Sequence, residues 1–237
     1  MINFQFVCRT MSETINKALV KACEAGEFES AHELLSQGAD VNFVRQPFGW
    51  TPLTSALFGK HQRLVQLLLD TPDIDVDMPN SGGMTPLHMA CDTQNTSAID
   101  KIIQKSRASL NLKTSSGCTP LMVAATYNKL ESVQALVNMD GVDLNTKNFR
   151  GKSLDDVAKN FPEILSLIRA ARSKHTANLC TSCSIHLSMS LSVFKCDRGH
   201  YSCGKCRDSR HRRCQECGAE FGWRGFSWKE IQGKTRS

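Results

Sequence analysis

The sequence predicts a mainly α chain: a solenoid of stacked helix pairs joined by hairpin loops, followed by a small cysteine-rich domain of different construction. Three observations carry this expectation. A Thr-Pro phrase recurs at a fixed interval, an apolar segment with helical spacing follows each copy, and seven of the eleven cysteines crowd into the last quarter of the 237 residues.

The repeat is read first, because a period of this size decides the architecture before any single helix does. "GWTPLTSALFGK", "GMTPLHMACDTQ" and "GCTPLMVAATYN" place Thr51, Thr85 and Thr119 at intervals of 34, and Ser153 of "GKSLDDVAKN" falls one interval further on. The segments "RLVQLLLD", "AIDKIIQK", "ESVQALVN" and "EILSLIRA" follow, each with apolar residues three and four apart, as a helix burying one face requires. Threonine before proline suits a helix start: its hydroxyl satisfies a free backbone N–H, and the proline costs little in the first turn. Ala22, Ala56, Ala90 and Ala124 recur at the same interval and let neighbouring helices approach closely. Asn42, Asn111 and Asn145, with Asp77 in the equivalent place, stand where the chain leaves for the next hairpin. "LVKACEAGEFESAHELLSQGADVN" has the same order without the Thr-Pro start and reads as the first repeat.

These residues resemble the ankyrin repeat family, whose signature is T-P-L-H-x-A, an apolar helix and a G-A-D-V-N-like loop. The resemblance implies about five repeats over residues 12–172, behind an N-terminal extension of residues 1–11. The outer two depart from the pattern, with Lys17 and Ala18 replacing Thr-Pro in the first and Leu154 and Asp155 replacing Pro-Leu in the last, as caps facing water do. The repeating Leu, Ala and Thr residues read as scaffold. By the resemblance, specificity lies at the hairpin tips and on the concave side of the first helices, where Phe48, Trp50, Phe58, Met84, Met89, Thr126 and Tyr127 are the candidate contacts with a substrate or partner protein. His88 reads as a structural hydrogen bonder, and Cys8, Cys23, Cys91 and Cys118 as isolated and inert.

Composition narrows the setting. Hydrophobic residues make up 41% of the chain, no run of eighteen apolar residues occurs, and "MINFQFVCRTMSETINKAL" lacks the basic and apolar regions of an export signal. The expectation is a cytoplasmic or nuclear protein outside the membrane. In that reducing setting clustered cysteines bind metal more often than they form disulfides. Residues 1–174 balance 18 Lys and Arg against 18 Asp and Glu, while residues 175–237 hold 11 against 5, so the whole net charge of +6 lies at the C-terminal end. Arg207, Arg210, Arg212 and Arg213 cluster there. As thiolates around two zinc ions the seven cysteines would offset about −3 of that excess, which leaves too little charge to argue for nucleic acid.

After a linker at residues 173–179 the ligand-type residues fall as C-x2-C-x12-C-x3-H-x2-C-x2-C-x7-C-x2-C: Cys180, Cys183, Cys196, His200, Cys203, Cys206, Cys214 and Cys217. Zinc takes four tetrahedral sulfur and nitrogen donors, at about 2.3 and 2.0 Å, and a two-residue spacer lets one turn present two thiolates. Eight donors would close two structural sites with no position for a hydrolytic water. A redox pair would need only one C-x-x-C, so three pairs with an added Cys and His favour metal. Zinc binding would also supply the folding energy that a module of this size lacks in its core. His186 and His211 read as surface residues.

This spacing resembles the C3HC4 RING finger family, with the Gly199-His200 pair similar to seven-in-absentia-like members, over residues 180–217. The resemblance implies a small α+β domain in which Cys180, Cys183, Cys203 and Cys206 hold one zinc, and Cys196, His200, Cys214 and Cys217 the other. It further implies recruitment of a ubiquitin-conjugating enzyme and ubiquitin transfer without a catalytic nucleophile. Ser182, Arg210, Gln215 and Gly218 depart from the family's recruiting residues, which leaves Ile185 and Leu187 as apolar candidates for that surface. The reading is thus a RING-type ubiquitin ligase, with a non-enzymatic adaptor as the alternative. In the tail, residues 218–237, the aromatic residues Phe221, Trp223, Phe226 and Trp228 alternate as short strands would, either packing on the RING or pairing two chains into a homodimer.

Overall fold

The computed structural model describes residues 4–177, 193–195 and 201–203, with side-chain surroundings for residues 11–173. Helices dominate: α1 (Phe4–Ala25), α2 (Phe28–Ser36), α3 (Pro52–Phe58), α4 (Gln62–Asp70), α5 (Pro86–Thr93), α6 (Thr96–Lys105), α7 (Pro120–Thr126), α8 (Leu130–Val137), α9 (Leu154–Ala158) and α10 (Pro162–Ala177). A 3-10 turn over Arg107–Asn111 follows α6. The chain divides into two compact units, Met1–Ile168 and Arg169–Ser237. In the first, α1, α3, α5, α7 and α9 stack as an inner layer, and α2, α4, α6 and α8 as an outer one. In the second, strand β1 (Val193–Lys195) pairs antiparallel with β2 (Tyr201–Cys203), Phe194 opposite Ser202. No helix among the described residues is long and apolar enough to cross a membrane.

The inner helices start where the Thr-Pro phrases stand. Thr51, Thr85, Thr119 and Ser153 hold extended backbone just before α3, α5, α7 and α9. The Thr51 Oγ accepts from the Thr54 N–H at 3.2 Å, and the Ser153 Oγ from the Asp156 N–H at 3.3 Å. Pro52, Pro86 and Pro120 occupy first helical positions, where no N–H is needed. Beneath these caps the alanines at 56, 90, 124 and 158 are fully buried, as are Leu57, Leu68, Ile99, Ile102 and Leu136. Leu19, Leu53, Leu87 and Leu121 form a buried ladder at the 34-residue interval, each contributing about 1.5–3 kcal/mol by leaving water. In the last repeat Asp155 occupies the ladder position, and Leu154, one residue earlier, supplies the buried side chain.

Two boundaries differ from those expected. Helix α1 starts at Phe4, so residues 4–11 continue the first repeat's helix, and α10 runs to Ala177, through residues 173–177 of the expected linker. The physical reason is the same at both ends: neither Gly nor Pro interrupts residues 4–25 or 163–177, so nothing breaks the helix. Within each of the first four repeats the chain turns from inner to outer helix through one left-handed residue. These are Gly26, Lys60, Gln94 and Asn128, with φ of 82°, 58°, 58° and 55°. Only the first is a residue without a Cβ penalty there.

Candidate protein-interaction surface

Four hairpin tips join the repeats and form a continuous ribbon. Asn80 N–H donates to the Met84 carbonyl, Thr114 to Cys118 and Asn148 to Lys152, at 2.9, 2.9 and 3.0 Å, while the first tip closes between Arg45 and Trp50. Side chains brace the turns: the Asn80 Oδ1 accepts from the N–H groups of Gly82 and Met84, and the Asn148 Oδ1 from those of Arg150 and Lys152. Each tip then bonds to the next. Ser81 N–H donates to the Phe48 carbonyl, Ser115 to Gly82 and Phe149 to Ser116, at 3.1, 3.0 and 3.0 Å. Gly49, Gly83 and Gly117 have φ of 70°, 73° and 80°, and a Cβ there would lie 2.8, 2.6 and 2.6 Å from backbone nitrogen of the following tip. These glycines recur at intervals of 34, a pattern that the sequence reading did not use.

Below the tips, Asn42 clamps repeat one to repeat two, its Nδ2 donating to the Asp73 carbonyl and its Oδ1 accepting from Asp75 N–H, both at 2.8 Å. Asn111 does the same to Gly141 and Asp143, at 2.7 and 2.8 Å. Asp77 instead accepts hydroxyl bonds from Ser106 and Ser109. His88 is fully buried and bridges two repeats. Its Nδ1 accepts from Thr85 N–H at 3.2 Å, and its Nε2 lies 3.0 Å from the Cys118 carbonyl, so the neutral Nε2–H tautomer fits both. Burial holds its pKa down at about 4, against the opposing pull of hydrogen bonds to the Cys118 and Leu112 backbone. It is a strut and not a ligand, as its T-P-L-H position suggests. Burial also pushes the Cys23 thiol up to about 12 and the Cys91 thiol higher still, so neither offers a thiolate nucleophile.

On this frame the exposed aromatic side chains are Phe48, Phe58, Tyr127 and Phe149, at 66%, 62%, 60% and 73% exposure. Half-buried Trp50 packs edge-on against Phe58, with ring centroids 5.1 Å apart. Thr126 is exposed, its hydroxyl bonded back to the Met122 carbonyl, and Met84 is half-buried. Met89 corrects the sequence reading: it is 3% exposed, enclosed in the inner layer, and cannot serve as a partner contact. Phe149 was missed, because the last repeat read only as a cap. An open groove of about 600 Å³ marks the outer layer, lined by Phe28, Arg63, Leu67 and Ser97 among others, with the Arg63 guanidinium 4.3 Å over the Phe28 ring.

Among the described residues no group of three or more His, Cys, Asp or Glu could hold a metal ion. The side chains of Cys180, Cys183, Cys196, His200, Cys203, Cys206, Cys214 and Cys217 lie outside the described residues, although the backbone of Cys203 ends β2. So do Ile185, Leu187, Phe221, Trp223, Phe226 and Trp228.

A family model described as ankyrin repeats (3 copies) matches residues 5–80 and 59–148. Among curated proteins, the glycerophosphocholine phosphodiesterase GDE1 of Eremothecium gossypii is 40% identical over 58 residues, covering 24% of this chain and 4% of that protein. The 2-5A-dependent ribonuclease of Mus musculus is 35% identical over 78 residues, 33% of this chain and 10% of that protein. The DNA replication inhibitor plutonium of Drosophila melanogaster is 46% identical over 54 residues, 23% of this chain and 30% of that protein. The matched segments thus span between 4% and 30% of these relatives' lengths.

Proposed function

Because this chain belongs to the ankyrin-repeat family, we propose that residues 1–168 are a protein-binding array and that the chain acts by holding a partner protein. The observation that carries this is the set of exposed aromatic side chains on a braced frame. Phe48, Phe58 and Tyr127 offer large apolar contact area at 60–66% exposure, on backbone already fixed by capping and inter-tip hydrogen bonds. Such residues supply much of the energy of protein interfaces, each typically worth more than about 1 kcal/mol on truncation at a hot spot. A photo-crosslinking residue at position 58 of the full chain should join it to a partner protein, while one at exposed Gln66 on the outer layer should not. Equal yields from both positions would place the binding surface elsewhere.

A second reading adds transfer chemistry. The donor set of residues 180–217, seven cysteines and one histidine with no carboxylate among the spaced positions, fits zinc. Cys180, Cys183, Cys203 and Cys206 would hold one ion, and Cys196, His200, Cys214 and Cys217 the other. The β1/β2 pairing supports this set, since Cys196 directly follows Lys195 and His200 directly precedes Tyr201, its partner across the ladder. Bound zinc would supply folding energy and no reaction step. Such a module would recruit a ubiquitin-conjugating enzyme, the array raising the effective concentration of the partner's lysines beside the thioester. The departures at Ser182, Gln215 and Gly218 favour the adaptor reading, in which the same module only binds protein. Autoubiquitination with a panel of conjugating enzymes, with zinc measured on the same sample, separates the two. Two zinc equivalents with ubiquitin chains support the ligase, two without chains support the adaptor, and zinc-free folded protein removes both.

A further inference from the structure

The ribbon of hairpin tips ends unequally. At each internal junction a carbonyl, that of Phe48, Gly82 or Ser116, accepts from the N–H of Ser81, Ser115 or Phe149 in the next tip. One interval of 34 before Ser81 stands Pro47, which has no N–H, so the first tip could donate nothing to a preceding rung. One interval after Ser116 stands Arg150, and no described residue donates to its carbonyl. Gly151 makes the same point independently. It keeps the positive φ, 74°, of Gly49, Gly83 and Gly117, yet no described residue comes within 4 Å of the position its Cβ would take. The ribbon is blunted at its N-terminal edge, as proline commonly blunts an edge, and among the described residues it is open at its C-terminal edge.

We propose that this open edge, residues 148–152, docks an extended acidic segment of a partner protein as one more rung of the ribbon. The inference rests on the protein-binding reading of the array and specifies the chemistry of one partner contact. The segment would donate a backbone N–H to the Arg150 carbonyl and approach closely over Gly151, as each internal tip does over the preceding glycine. Charge selects its sequence. Lys147, Arg150 and Lys152 are exposed, Lys113 stands one rung back at the position of Lys147, and residues 147–152 contain no Asp or Glu. The nearest carboxylates along the chain are Asp143, Asp155 and Asp156; Asp156 accepts from the Ser153 N–H and hydroxyl at 2.8 and 2.6 Å and also feels the charges of Lys147 and Lys152, so it offsets part of the cationic edge. Phe149, 73% exposed, lies with its ring over the Gly117 turn of the preceding tip and adds exposed apolar surface to the ribbon.

A second copy stacking head to tail is disfavoured, since it would present its first tip, which has Pro47 where the donor is needed.

The probe is a fluorescent peptide of about ten residues, Glu or Asp alternating with Val, measured by anisotropy against the full chain. The same peptide N-methylated at alternate residues has the same charge but lacks the donors. The expected result is saturable binding of the unmethylated peptide, weakened roughly tenfold or more by N-methylation and by R150E/K152E, whose exposed sites leave the helical circular dichroism unchanged. Equal binding of the methylated peptide would mean attraction by charge alone and overturn the rung. Unchanged affinity of R150E/K152E would move the site elsewhere, and no binding of the unmethylated peptide at low salt would remove it. The crosslinking from position 58 stands or falls separately from this result, as does the ubiquitin assay.

Discussion

Acidification offers the sharpest test of the array's internal chemistry, through His88. The imidazole is fully buried, accepts from Thr85 N–H and reaches the Cys118 carbonyl of the next repeat. Protonating Nδ1 would set two donors against each other and place a charge in the stack. The folded pKa is therefore depressed, about 4 against an ordinary 6.5, with burial as the main cause. A depressed folded value means that the neutral form's contribution is complete above pH 6.5 and is lost as pH falls from there to about 4, after which both states are protonated. The separation corresponds to about 3 kcal/mol, on the order of a third of a typical domain's stability. Urea unfolding followed by helical signal, in wild type and in His88→Gln, isolates this group from the others that titrate. The wild type's advantage over the variant should shrink by about 2–3 kcal/mol between pH 7.5 and 4.5. A constant advantage across that range would refute the argument that His88 is held neutral by its surroundings.

Three further outcomes are expected. Lys60→Gly and Gln94→Gly should each raise stability by up to about 1 kcal/mol in thermal or urea melts, because both residues hold left-handed φ of 58° where a Cβ is strained. Gly83→Ala should cost more than Gly151→Ala, by about 1–3 kcal/mol, since both positions strain the backbone but only at Gly83 would the new Cβ meet a neighbouring nitrogen at 2.6 Å. Cys203→Ser should lower bound zinc by at least one equivalent while leaving the array's urea midpoint in place, and simultaneous loss of the whole helical signal would mean that the two units fold together.

What the sequence disclosed depended on whether a residue acts within its own repeat. Thr51, Thr85, Thr119 and Ser153 were readable as helix starts because capping is local, involving groups three residues apart. The alanine positions were readable because close packing demands small side chains at one period. Met89 was misjudged for a reason particular to stacks: an inner helix is covered on both sides by its neighbours, so a one-face pattern cannot tell the open side from the enclosed one. The ribbon edge was equally hidden, because Pro47 and Gly151 take their meaning from registers between repeats. Helical extensions at residues 4–11 and 173–177 were legible in principle from the absence of breakers, but a period-based boundary overrode that signal. The cysteine spacing from 180 to 217 remains the strongest chemical pattern in the chain, and its test is the metal analysis.

The exchange of Asn for Asp at position 77 bears on how interchangeable the repeats are. A carboxamide both donates and accepts, so Asn42 and Asn111 engage backbone that any following repeat could present. A carboxylate only accepts, and Asp77 is met by Ser106 and Ser109, which belong to the third repeat alone. In the fourth repeat the corresponding positions are Asp140 and Asp143. A chimera that joined repeat two directly to repeat four would bring three carboxylates together where the native chain has one and two hydroxyls. Repeat two therefore carries an address for its neighbour, and the order of modules in this array is written in side-chain chemistry as well as in the covalent chain.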